Sequence, residues 1–150
     1  MYRGSRVFQN LLFALPLLVW IGFVAAEPAS AAAREHSKPV HQLRIYEIVE
    51  DNKAAFHDRF RDHAMRIMAK YDFQIIAMWE SQYEDRTEFV YLLEWPDEQT
   101  MKDRWAKFMA DPEWAAIKKR TGAVHGSFVE SIEDRMLLPT QYSPRKAFIE

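Results

Sequence analysis

Polar and apolar positions alternate over residues 41–49. Leu43, Ile45, Glu47 and Val49 fall on one side, and Gln42, Arg44, Tyr46 and Ile48 on the other. A period of two predicts a strand. Asp51 or Asn52 then stands where a helix cap is wanted. At helical spacing Phe56, Phe60, His63, Ala64, Ile67 and Tyr71 form one stripe, with Arg59, Arg61, Asp62, Arg66 and Lys70 outside it, which predicts a helix ending near residues 71–72. Residues 73–81 and 88–95 are rich in aromatic and branched side chains and read as two more strands. Their link, residues 82–87, is polar and lacks glycine, which predicts a longer hairpin loop rather than a two-residue turn.

Pro96 ends the third strand, and Asp97 caps a helix whose apolar stripe is Met101, Trp105 and Phe108. Asp111-Pro112-Glu113 opens a further short helix with apolar contacts at Trp114 and Ile117. Residues 122–126 read as loop, and residues 128–138 as the last strand, closed by Pro139. The order strand, helix, strand, strand, helix, strand is that of an α+β, ferredoxin-like βαββαβ unit with a four-stranded antiparallel sheet.

A sheet covered by helices on one side should be polar on the other. Here both alternating sets are apolar. Phe89, Tyr91, Leu93 and Trp95 oppose Val90 and Leu92, and Ile75, Ala77 and Trp79 oppose Ile76 and Met78. The uncovered face is too apolar to stay wet, which predicts a homodimer through sheet-to-sheet packing. Arg44, Tyr46, Trp79 and Tyr91 combine polar tips with aromatic bodies and are expected on that inter-subunit side, with Leu43, Ile45, Val90 and Leu92 under the helices. The alternative is that the tail after Pro139 folds over the open face, although it is long enough to cover only part.

The chain begins with a different pattern. Arg3 and Arg6 precede an uncharged, mostly apolar run at residues 11–24, and Val24-Ala25-Ala26 forms a small-residue exit. The run is shorter than the roughly 20 residues of a membrane span, so residues 1–26 read as a signal peptide and the protein as exported, periplasmic or secreted. An uncleaved anchor is the alternative and would give the only membrane attachment. Residues 27–40 read as a flexible lead, residues 41–144 as the domain and residues 145–150 as a tail. Residues 1–26 hold two of the 20 basic residues and none of the 22 acids, so the mature chain carries a net −4 with histidine neutral. A mildly acidic domain is poorly suited to nucleic acid or anionic lipid. The chain has no cysteine, so the fold rests on its core alone.

Leu43-Arg44-Ile45-Tyr46, His63-Ala64 at the first helix, Asp111-Pro112-Glu113-Trp114 and the ending Arg135-Met136-Leu137-Leu138-Pro139-Thr140-Gln141-Tyr142-Ser143-Pro144 together resemble the NIPSNAP family over residues 41–144. The resemblance implies a dimeric α/β barrel. It implies a superfamily that includes cofactor-free monooxygenases, isomerases and haem-handling enzymes. It supplies no agreed catalytic residues for this branch.

Five residues stand out as ligand-binding candidates: Arg44, Tyr46, His63, Trp79 and Tyr91. Arg44 and Tyr46 share a strand face and together offer a guanidinium fork and a phenol to a carboxylate or enolate. Alternatively Arg44 pairs with Glu80, Glu94 or Glu130. His63 lies on the buried stripe, where it would be a titrating group or a haem ligand, or simply a hydrogen-bonded structural histidine. Arg104 is expected to lay its stem over Trp105 with its head in water. No spacing matches a metal site, no nucleophile adjoins a base in a recognisable motif, and no cofactor is expected.

Three readings follow: a barrel that binds or transforms a small apolar or aromatic ligand, a non-catalytic dimeric interaction module, and a haem binder. Terminal sequencing of the exported protein is expected to find a mature chain beginning near Ala26, with Ala29-Ser30-Ala31 and Ala31-Ala32-Ala33 as alternative cut points. A chain still beginning at Met1 contradicts export by cleavage.

Overall fold

A computed structural model describes residues 39–149; the expected signal peptide and most of the flexible lead lie outside the described residues. Four strands, β1 (Val40–Ile48), β2 (Gln74–Tyr83), β3 (Arg86–Trp95) and β4 (Val129–Leu137), form one antiparallel sheet in the order β2-β3-β1-β4. The first helical region begins with a 3-10 turn (Glu50–Asn52). It continues as α1 (Lys53–Arg59), a π segment (Phe60–Ala64) and α2 (Met65–Lys70). The second contains α3 (Glu98–Met109) and α4 (Pro112–His125). This is the ferredoxin-like arrangement that the hydrophobic pattern predicts.

Register decides which face the helices cover, because residues directly opposite on neighbouring strands share a face. Val40, Gln42, Arg44 and Tyr46 stand opposite Trp95, Leu93, Tyr91 and Phe89. The buried core joins members of this set to Phe56, Phe60, Ile67 and Met68 of the first helical region and to Met101, Phe108, Trp114 and Ile117 of the second. The expected assignment of faces is therefore reversed. Arg44, Tyr46 and Tyr91 point to the helices, while Leu43, Ile45, Val90 and Leu92 lie on the open side. The large aromatic rings of β3 need the deeper helix-covered layer, and Tyr91, Leu93 and Trp95 are fully buried there.

In β2 the expected strict alternation is broken. Ile75 pairs with Leu93 but Ala77 pairs with Leu92, so Ile76 is an extra residue, a β-bulge. After the bulge Met78 and Glu80 turn to the helix side, and Ala77 and Trp79 to the open side. The hairpin is also tighter than expected. Tyr83 pairs with Arg86 across Glu84 and Asp85, and Glu84 takes the left-handed φ of 55° that glycine usually supplies.

Helix boundaries shift for local reasons. Neither Asp51 nor Asn52 caps the first helix; the Asn52 amide instead donates to the carbonyls of His125 (2.8 Å) and Ser127 (2.6 Å). Asp97 and Asp111 do cap, accepting from the backbone N–H of Thr100 (2.7 Å) and Trp114 (2.9 Å). With Asp111 and Pro112 setting its first turn, α4 continues through the expected loop and stops only at Gly126, whose φ is 72°. The π segment widens the turn. It buries Phe60 and Ala64, α2 buries Ile67 and Met68, and His63 is left only half-buried, off the expected stripe.

The tail reaches back over one end of the open face. The Glu94 carboxylate accepts from the N–H groups of Phe148 (2.5 Å) and Ile149 (3.2 Å), and the Phe148 ring meets His41 edge-on at 5.2 Å. Both His41 and Glu94 are open-side residues, joined to each other at 3.0 Å. The tail leaves Trp79 half exposed, at 51%.

Candidate functional site

Between the sheet and the helices the apolar core contains one polar line. Gln42, buried at the middle of the sheet, accepts from the indole N–H of Trp95 (3.1 Å) and of Trp105 (2.8 Å). Its amide donates to both oxygens of Asp134, at 2.8 and 2.9 Å. The same carboxylate receives the Arg44 guanidinium at 2.5 Å. Asp134, Arg44's direct cross-strand neighbour on β4, is thus its acidic partner, rather than Glu80, Glu94 or Glu130 of the alternative reading. Glu80 is held by Lys53 and His57 of α1, and Glu94 by His41 and the tail.

Arg44 also donates to the Tyr46 hydroxyl (3.2 Å), which bonds the Tyr91 hydroxyl (2.9 Å). The guanidinium lies over the Trp105 ring at 4.7 Å from its centre. Burial works to lower its pKa. The Tyr46 and Tyr91 phenols, the bond to Tyr46 and the Asp134 carboxylate outweigh burial and raise it above the ordinary arginine value. Burial, reinforced by Tyr46, pushes the Tyr91 phenol well above its usual range. Arg44 is therefore a fixed cation, with only its buried Nε left unpaired.

Arg44 and Tyr46 form one wall of a cleft of about 230 Å³. Phe56, Phe60, Ala64 and Met68 line it from the first helical region, and Trp105, Phe108, Met109, Trp114 and Lys118 from the second. Arg59, Val129 and Ile132 complete it. The π segment supplies both Phe60 and Ala64, so the widened turn sits directly over the cleft. No carboxylate lines it.

The five sequence candidates separate. Arg44 and Tyr46 line the cleft, and fully buried Tyr91 backs them. His63 borders a different, shallow depression with Asp58, Asp62, Thr121 and His125. Trp79 is on the open face. No histidine lines the cleft, so His63 offers it no axial haem ligand. Arg104 binds the Asp72 carbonyl (2.6 Å) at the end of α2 instead of projecting freely into water. Sequence reasoning missed Gln42, Asp134 and Arg59. A glutamine within an otherwise apolar strand set was a readable signal for the first; the other two looked like ordinary surface charges.

The NIPSNAP family model matches residues 41–144. Among solved structures the chain is similar to an uncharacterised NIPSNAP-like domain protein from Burkholderia xenovorans. That protein is 20% identical with a TM-score of 0.62, over 75% of this chain and 94% of that one. A NIPSNAP family protein from Agrobacterium tumefaciens is 23% identical with a TM-score of 0.61, over 71% and 97%. A NIPSNAP family protein with unknown function from the same organism is 19% identical with a TM-score of 0.61, over 73% and 95%. No curated protein matches the chain. At these identities the likeness is one of fold.

Replacing Gln42 by leucine removes the acceptor of two buried indole N–H groups. Each buried donor left unpaired costs about 1–3 kcal/mol. Gln42→Leu is therefore expected to lose about 2 kcal/mol or more, measured as a lower urea midpoint. An unchanged midpoint contradicts the role given to Gln42.

Proposed function

The chain belongs to the NIPSNAP family, and from that premise we propose that it is an exported homodimer binding a small apolar or aromatic ligand in the helix-side cleft. The observation that carries the reading is the cleft itself, which combines aromatic walls with a few placed polar groups, as ligand sites do. Its volume suits a ligand of one or two rings. Arg44 and Tyr46 line the cleft and are groups that can donate to a ligand oxygen.

An open cleft supports ligand binding over a purely structural interaction module. Its titratable lining groups are Arg44, Tyr46, Arg59 and Lys118. A proton moved there, as a cofactor-free oxygenation or isomerisation would require, would pass through the Tyr46 phenol or the Lys118 amine.

The open face supports the homodimer. Half-buried Leu43, Ile45, Val90 and Leu92 and half-exposed Trp79 make an apolar centre, and Arg135, Glu133 and Glu88 rim it. A second copy of the sheet buries this centre on both sides. Export rests on the pattern of residues 1–26. No helix among the described residues is long and apolar enough to cross a membrane.

Native mass spectrometry of protein taken from its own compartment tests the reading. The expected spectrum shows a dimer carrying a small molecule, and an Ala64→Phe variant, which fills the cleft, shows a dimer without it. A monomer contradicts the assembly, and a ligand retained by Ala64→Phe contradicts the site.

A further inference from the structure

The cleft contains more positive charge than its own partners balance. Arg44 is matched by Asp134 at 2.5 Å. Arg59 and Lys118 are not: among the described residues neither has a carboxylate oxygen within ion-pair distance, and none lines the cleft. Both are only partly exposed. Both approach the same indole, each with its charged centre 5.7 Å from the middle of the Trp114 ring. Arg59 also lies over Phe128 at 3.7 Å and donates to the Thr121 hydroxyl at 3.3 Å. These contacts orient the guanidinium without neutralising it. Burial lowers the Arg59 pKa, as expected for a cation taken from water without a counter-ion.

Asp58 and Asp62 line a shallow depression together with Arg59, but both bond Arg61. Those two carboxylates are therefore engaged by another cation.

We infer that the ligand of this cleft is an apolar monocarboxylate, its anion held between Arg59 and Lys118 and its body against the aromatic wall. The inference rests on the ligand cleft proposed above and adds the charge of the ligand and the residues that select it. A carboxylate brought to two partly desolvated cations gains charge-assisted hydrogen bonds that a neutral isostere lacks. The aromatic body meets Phe56, Phe60 and Trp105, while Arg44, already neutralised, contributes a hydrogen bond rather than net charge.

Calorimetric titration of the mature protein with 2-naphthoate and with its neutral isostere 2-naphthamide separates the two claims. The expected result is a carboxylate at least about tenfold tighter than the amide. The ratio of carboxylate to amide affinity is expected to fall to about one in an Arg59→Gln, Lys118→Gln double variant, and to be kept in Arg59→Lys. Equal affinities in the unaltered protein overturn the inference while leaving the cleft in place, and need no variant to fold. A preference that survives the double substitution also overturns it. If neither compound binds, the cleft reading fails and the inference with it.

Discussion

With two indoles on its oxygen and a carboxylate on its nitrogen, Gln42 ties β3, α3 and β4 to the first half of β1. The arrangement is fully satisfied, which is what makes a buried amide tolerable in an aromatic core. Its consequences spread outward. Asp134 is fixed where it can receive Arg44, Arg44 is pressed against Trp105, and the Tyr46 and Tyr91 hydroxyls are aligned behind it. Remove the amide, and two indole donors lose their acceptor while Asp134 loses one of its two donors and keeps only Arg44. The polar wall of the cleft is thus one connected unit.

The two sides of the sheet divide the work. The helix side holds the aromatic rings, the polar line and the cleft. The open side holds aliphatic residues with Trp79, rimmed by charge and crossed at one end by the tail. The bulge at Ile76 sets which residues of β2 face each way, giving Met78 and Glu80 to the helices and Trp79 to the open face. Glu80 is then anchored by Lys53 and His57, which brings α1 down on the edge of the sheet.

The element order was legible because strand alternation, helical stripes and aspartate caps all act locally. The choice of face was not. Both alternating sets are apolar, so only long-range register distinguishes Leu43 and Val90 from Tyr46 and Tyr91. Arg44 and Tyr46 were recognisable as a pair from their spacing, yet the partner Asp134 is 90 residues away and follows from strand pairing alone. His63 was misplaced because a π segment cannot be read from an α-helical wheel. Arg59 escaped notice for a related reason: it lies off the stripe that faces the sheet, but α4 comes down beside it and turns a nominal surface charge into part of a cleft. The two-residue hairpin was hidden by a glutamate in the left-handed region.

The proposed division puts the ligand between sheet and helices and a second copy on the open face. Hydrogen–deuterium exchange with saturating 2-naphthoate distinguishes the two faces. Slowed exchange is expected in the π segment Phe60–Ala64 and along α3 and α4, with the amides of residues 77–79 in β2 unchanged. Protection confined to β2 and β3, with the helices unaffected, would place the ligand on the open face and contradict that division.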